Sequence, residues 1–497
     1  MEKQNKPEKA KIWVPFVAAG IFALLACLNL TTAIWYDEAY SAYLVRGDFA
    51  QIWNMTSIDV HPPFYYFCLK VWSLIFGTSD VALRSMSVFF AAIGIILAYF
   101  LLKRWFGAKA ATWGTFALSL APLLMRYSQE MRMYGVVFAI VMGATLVLDI
   151  ALKTKNKKAW LGYALLICLG MWTHYFTALA WLAHFAYIIY YFVKNGLQKA
   201  VFWAYPLAVS LFLPWIPFFL KQTDSVQQGF WIPPVSFATP LSFVTESLIF
   251  HDAATTTNWL VVLVIATMVV VAYLLGKNWR KLEKEECKNF SFLATLILLP
   301  PAILMLLSME PFQPTYMTRY VTYAASLLWV VIGLVIYWAK RNGMKIAAIV
   351  ATILVLICAA VGITTVDMRN EPGDIEARAA MIAASTEQAP VLIHVGSMHY
   401  YDLLFYETEQ NPVYVVDVNF EWGSLEPMRE YKINYLEDVD GFVAEHDNFW
   451  MILEPETDAE TDERKIEPYE FDGYSAETRY DDEMFVAIYY TKDTKKE

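Results

Sequence analysis

The chain has 497 residues, 58% apolar and 16% aromatic, with a mean hydropathy of +0.40. That composition belongs to multi-spanning membrane proteins. The net charge of −10 is split: residues 1–366 hold 28 Lys+Arg against 16 Asp+Glu, and residues 367–497 hold 10 against 32. So acidic a tail repels phosphate and excludes a nucleic-acid partner.

The start, Lys3 to Lys11, is basic and leads into the apolar run Ile12–Ile34, long enough for a hydrocarbon core of roughly 30 Å. No small-residue cleavage site follows, so the run is expected to be a retained span. Immediately after it comes Trp35-Tyr36-Asp37-Glu38-Ala39-Tyr40. Adjacent acids at a membrane face point to function, and a general base is the role expected of one of them. A solvated pair that merely ends a helix is the plainer alternative.

Residues 35–81 are read as one outer loop. Within it Phe64–Phe76 is apolar and aromatic, too short to cross, and preceded by His61-Pro62-Pro63. This pattern predicts an interfacial helix at headgroup level with proline near its first turn. Further apolar runs fall near 82–102, 108–125, 134–152, 159–173, 176–193, 200–220, 257–276, 290–308, 319–338 and 346–366, which makes about eleven spans with the first. Six basic clusters, from Lys3–Lys11 to Lys340–Lys345, then fall on one side. The positive-inside rule makes that side cytoplasmic and puts the loop 35–81 and the tail outside.

Two more polar islands lie on the outer side. Arg126-Tyr127-Ser128-Gln129-Glu130-Met131-Arg132-Met133-Tyr134 is a tight turn whose Glu130 could meet Asp37 across the bundle. Arg46, Lys70, Arg84, Arg126, Arg132, Lys221 and Arg319 are basic residues that the orientation rule does not require. Grouped near a carboxylate pair they suggest an anion site, since arginine binds phosphate oxygens bidentately. His174, in the turn Thr173-His174-Tyr175, is either a hydrogen-bonded structural residue or a site lining. The loop 221–256 holds Gln227 to Pro234, readable as a substrate cap or a plain loop. The five cysteines have no metal spacing and none lies in the tail, so no disulfide is expected to staple the tail and no metal set is expected.

The tail reads as a small α/β domain, with strands at Val391–Val395, Val413–Asp417, Phe449–Leu453 and Phe485–Tyr490 and a helix at Ser397–Tyr406. Glu454–Glu470 reads as an acidic loop. The expected domains are 1–366, membrane-embedded, and 367–497, acidic and extracytoplasmic.

Taken in order, Tyr36-Asp37-Glu38, His61-Pro62-Pro63 with its aromatic helix, Ala82-Leu83-Arg84, Tyr127 to Tyr134, Thr173-His174-Tyr175 and Arg319-Tyr320 resemble the GT-C superfamily of membrane glycosyltransferases. Protein O-mannosyltransferases and lipid A aminoarabinose transferases are its nearest branches to this pattern. The resemblance covers about residues 12–340 and leaves the tail unmatched. It implies a multi-spanning α-helical fold and inverting transfer of one hexose or pentose from a polyprenyl-phosphate donor. The acceptor is a hydroxyl on protein, lipid or cell-wall glycopolymer. It makes Asp37 the base, with Glu38 and Glu130 orienting acceptor or sugar. It gives substrate contacts to His61, Lys70, Arg84, Arg132, Tyr134, His174, Tyr175, Arg319 and Tyr320. Some members use a divalent metal; the sequence indicates no metal or other cofactor here. A lipid or solute transporter is the alternative, but no internal repeat is evident and the charges gather at one face rather than at the midplane.

Overall fold

The computed structural model describes residues 12–227, 232–367, 372–394, 399–416, 434–457, 464–466 and 469–493. It forms two compact units. One comprises Met1–Leu30 with Val60–Arg369, the other Thr31–Asp59 with Asn370–Glu497.

The elements in chain order are α1 Val14–Cys27, α2 Tyr36–Leu44, α3 Phe49–Ile58, α4 Phe64–Phe76, α5 Asp80–Leu118, α6 Pro122–Ser128, α7 Tyr134–Thr154, α8 Lys157–Thr173, α9 Thr177–Asn195, α10 Val201–Phe212, α11 Ile216–Gln227, α12 Thr239–Ile249, α13 Asn258–Trp279, α14 Lys284–Leu307, α15 Thr322–Arg341 and α16 Lys345–Asp367. The second unit adds α17 Pro372–Ala384, β1 Val391–His394, α18 Tyr400–Phe405, β2 Val413–Val416, β3 Tyr435–Leu436, α19 Val439–Glu445, β4 Asn448–Leu453, β5 Glu456–Thr457, β6 Arg464–Lys465, β7 Tyr474–Asp481 and β8 Val486–Lys492.

Among the described residues, seven helical stretches are long and apolar enough to cross a membrane: Asp80–Leu118, Tyr134–Thr154, Val201–Asp224, Asn258–Trp279, Lys284–Leu307, Thr318–Arg341 and Lys345–Val366. The two runs expected at 82–102 and 108–125 are joined in α5, which breaks at Gly107 with φ 82°. Only glycine takes that conformation without a Cβ penalty, so this residue lets one apolar stretch change direction. The α1 helix, at 14 residues, is shorter than the run 12–34 from which a span was expected, whereas α8, at 17 residues, covers the whole of its short run 159–173.

Helix α4 occupies the interval its composition predicts. Pro63 sits at its N-cap and Gly77, at φ 90°, closes it by donating to the Ser73 carbonyl at 2.9 Å. Tyr65, Tyr66 and Leu69 are fully buried, while Leu74, Ile75 and Phe76 are exposed. One face is packed and the far end is open, the distribution expected of a helix at a lipid interface.

The core of the first unit joins α5 to α7. Asp149 is buried there and takes three donors: Arg104 Nε at 2.7 Å, Trp105 Nε1 at 2.9 Å and Lys153 Nζ at 2.7 Å. A buried carboxylate is tolerable only when compensated in this way. At the opposite end of α7, a Cβ on Gly135 would lie 2.3 Å from the Ser87 carbonyl oxygen. The missing side chain lets the start of α7, and with it Arg132 and Tyr134, close onto α5.

In the second unit a six-stranded sheet runs β3-β2-β1-β4-β8-β7. Its first four strands are parallel and β8 and β7 pair antiparallel. Leu392, Phe449, Met451, Val486, Ile488 and Tyr490 fill one face, following the two-residue alternation of strands. The strands read from apolar runs are present within a residue or two, and β7 is an addition. Its sequence YSAETRYD is mostly exposed, so it carries no apolar signal. The expected helix Ser397–Tyr406 is described from Tyr400, with residues 395–398 outside the described set. Within the acidic run 454–470, β5 and β6 form a small antiparallel ladder.

The structure divides the loop expected at 35–81. Residues 31–59, including α2 and α3, pack with 370–497, whereas α4 packs with the membrane helices. The physical reason is long-range: α2 and α18 share a tyrosine cluster that local patterning cannot show.

Candidate active site

The second unit holds the acid pair. Trp35 is extended, and Asp37 and Glu38 stand in the first turn of α2, where a negative side chain complements the helix dipole. Glu38 is buried and Asp37 is half-buried. The Ser41 hydroxyl donates to the Asp37 carbonyl at 2.8 Å.

Tyrosines fix α2 in place. The Tyr36 and Tyr400 hydroxyls are 3.2 Å apart, and the Tyr401 ring stands 5.2–5.5 Å from the rings of Tyr36, Tyr40 and Tyr43. Such aromatic pairs each add about 0.5–1.5 kcal/mol beyond their burial. The Ile34 amide donates to the Tyr406 hydroxyl at 3.3 Å and Arg378 to the Thr31 carbonyl at 3.2 Å. Arg46, one of the outer basic residues, pairs with Glu407 and donates to the Leu404 carbonyl at 2.8 Å. It lies three positions beyond Tyr43, at the end of α2, where a cation can bind last-turn partners. Asp402 is buried beneath this cluster. Burial pushes its carboxyl up to about 7, His399 offsets part of that, and the nearby acids Glu38 and Asp37 add to it.

The first unit holds a cationic and aromatic group. Arg132 Nη2 is 3.3 Å from His61 Nε2, and Arg132 Nη1 donates to the Tyr66 hydroxyl at 3.4 Å. The Ser87 hydroxyl donates to the Arg132 carbonyl at 2.9 Å. His174 lies among the rings of His61, Tyr134 and Tyr320 at 6.1, 5.9 and 5.5 Å, and burial, helped by the nearby Arg132 and Arg319 guanidiniums, holds its imidazole well below the usual range. The Arg319 guanidinium lies 5.6 Å from the Tyr320 ring centroid. Thus His61, Arg132, Tyr134, His174, Arg319 and Tyr320, from four separate stretches of sequence, converge in one unit.

Other expected residues have different neighbours. Glu130 is fully buried and pairs with Arg126 at 2.7 Å, and it belongs to the first unit while Asp37 belongs to the second. Arg84 is buried and donates to the Leu30 carbonyl at 2.9 Å, which ties the end of α1 to α5. The Tyr175 hydroxyl accepts from Trp215 at 2.7 Å and donates to Gln222 at 2.5 Å. Lys70 is half-buried on α4. The loop 227–234 lies partly outside the described residues.

Two residues were missed by sequence reasoning. Tyr66 was hidden in an aromatic run, with only the neighbouring His61-Pro62-Pro63 to flag it. Glu246 is the lone acid of α12 and lies near Thr318, the residue before Arg319. Burial raises its carboxyl to about 7, with Thr318 lowering it and Asp252 raising it further. Its isolation in an apolar helix was the available signal.

Residues 60–218 match a family model described as dolichyl-phosphate-mannose-protein mannosyltransferase. A comparison with curated protein sequences gives no match. Among solved structures, the chain is similar to ArnT from Cupriavidus metallidurans in the apo state, with a TM-score of 0.62 and 15% identity over 95% of this chain and 97% of that one. The same protein bound to undecaprenyl phosphate gives a TM-score of 0.59 at 14% identity over 96% and 97%. An oligosaccharyltransferase from Archaeoglobus fulgidus gives 0.51 at 12% identity over 79% of this chain and 61% of that one. The fold is that of the GT-C membrane glycosyltransferases.

Proposed function

We propose that the protein transfers a single sugar from a polyprenyl-phosphate donor to a hydroxyl acceptor, with inversion, at the outer face of the membrane. The observation that carries the reading is the convergence of the Arg132 and Arg319 guanidiniums with the imidazoles of His61 and His174 beside Tyr66, Tyr134 and Tyr320. Preorganised cations are what a departing lipid phosphate requires, and the solved relative carrying undecaprenyl phosphate supports that choice of donor.

In this reading Asp37 accepts the proton of the acceptor hydroxyl. The acceptor oxygen attacks the anomeric carbon, the bond from that carbon to the phosphate oxygen breaks, and polyprenyl phosphate leaves with the electron pair. Arg132 and Arg319 take the developing charge. Glu38 and Glu130 orient sugar or acceptor. The N-terminus is cytoplasmic and the sheet-bearing unit extracytoplasmic, an orientation supported by the basic clusters alone. No metal or other cofactor is assigned to the transfer step.

The test is to supply purified protein with labelled polyprenyl-phosphate sugars and follow release of polyprenyl phosphate. Release that depends on a hydroxyl acceptor and on Asp37 supports the reading. Movement of intact donor between leaflets without cleavage would replace it with transport.

A further inference from the structure

The second unit contains a group of side chains that the transfer reaction does not use. Asp374 on α17, His399 just before α18 and Asp402 within α18 each present a ligand-type atom, and these atoms lie within 4.8 Å of one another. His399 Nδ1 and Asp402 Oδ2 are 2.8 Å apart. Asp402 is completely buried, yet its second oxygen, Oδ1, has no hydrogen-bond partner. Glu454 also acts electrostatically on His399, and its Oε2 is likewise buried and unbonded. Two buried carboxylate oxygens without donors beside one imidazole are costly unless a cation compensates them.

The geometry points to a divalent-cation site of the zinc class, liganded by Asp374, His399 and Asp402 and fastening α17 to α18. Mixed imidazole and carboxylate donors suit zinc and its borderline neighbours better than calcium or magnesium. Ligands about 2.0–2.2 Å from one zinc ion stand roughly 3–4 Å apart, so the pair His399–Asp402 needs a small opening and any pair near the 4.8 Å limit a small closure. The ion takes the place of the proton between His399 and Asp402, and the unbonded Asp402 oxygen gains a partner. Tyr400 and Tyr401 lie between two of the ligands in sequence and hold α2, so the ion would also steady the helix that carries Asp37. Binding itself does not depend on the proposed transfer.

Full-length protein in detergent is stripped with EDTA and titrated with ZnCl2 against a chromophoric chelator, and with CoCl2 followed by its visible spectrum. The expected result is one equivalent bound, a cobalt band and a higher Tm with zinc. His399→Ala and Asp402→Asn should each weaken binding at least tenfold and abolish the zinc-dependent rise in Tm, while Arg132→Ala, in the other unit, binds as wild type. Wild-type protein that takes up no equivalent and shows no cobalt band would overturn the site. So would variants of native helical content that bind as wild type. If Asp402→Asn does not fold, His399→Gln decides in its place.

Discussion

Arg126 and Glu130, four residues apart, form an ion pair of 2.7 Å in which the carboxylate is wholly buried. Removing one partner of such a pair leaves the other charge uncompensated, at a cost of about 3–5 kcal/mol, whereas replacing both is far milder. Arg126→Ala is therefore expected to lower the Tm in detergent sharply. The double substitution Arg126→Met with Glu130→Gln should recover most of the loss. Equal melting of single and double variants would refute the pairing as a source of stability.

Asp37→Asn keeps the shape and hydrogen-bonding capacity of the side chain but cannot take a proton. General base catalysis is typically worth about 10²–10⁴-fold, so turnover should fall by that order while donor affinity and Tm hold. Glu38→Gln should cost less. Single-turnover assays separate the two, and full activity in the Asp37 variant would end its assignment as the base.

Arg132→Ala and Arg319→Ala each remove a charge-assisted contact from the cationic group. Donor binding should weaken by about 1.5–3 kcal/mol, while Lys345→Ala, at an exposed position, leaves it unchanged. Binding of labelled undecaprenyl phosphate to the three variants checks this, and equal affinities would remove the arginines from the donor site.

Glu246 supplies a pH dependence. Its folded-state carboxyl is raised to about 7, above the ordinary value of about 4.3. The folded protein therefore holds a proton that the unfolded chain has already released, and stability declines as pH rises from about 4 through 7. Wild type should melt higher at pH 5 than at pH 8 by more than Glu246→Gln does. Parallel curves for the two would contradict the shift.

Tyr401→Ala deletes a buried ring that touches three tyrosines of α2. Loss of a large buried aromatic costs about 3–5 kcal/mol, and turnover should fall with Asp37 untouched. Tyr401→Phe should restore most of both. Proteolytic nicking within 31–59 is the readout that a defect elsewhere would not produce.

What could be read in advance follows the reach of the physics. Helix α4 was legible to the residue because Pro63 and Gly77 punctuate it locally. Strands β1, β2, β4 and β8 were legible from their apolar runs. Exposed β7 was not, since its pairing with β8 rather than its composition makes it a strand. His61, Arg132, His174 and Arg319 stood out as polar residues in an apolar chain. The partners of Arg46, Arg84 and Glu130 did not, because each is chosen by three-dimensional packing. Asp374, His399 and Asp402 escaped notice for the same reason, a ligand set scattered over two helices.

The interleaving of the two units carries a consequence in time. Tyr36 bonds to Tyr400, 364 residues downstream. At roughly 5–20 residues per second, a ribosome needs on the order of 20–70 s to travel from one to the other. Throughout that interval the strip 31–59 has been made but lacks its partners. A polypeptide released before Tyr400 is made leaves α2 without its tyrosine partners, so the activity proposed for Asp37 would be withheld until residues 400 and 401 have followed it out of the ribosome.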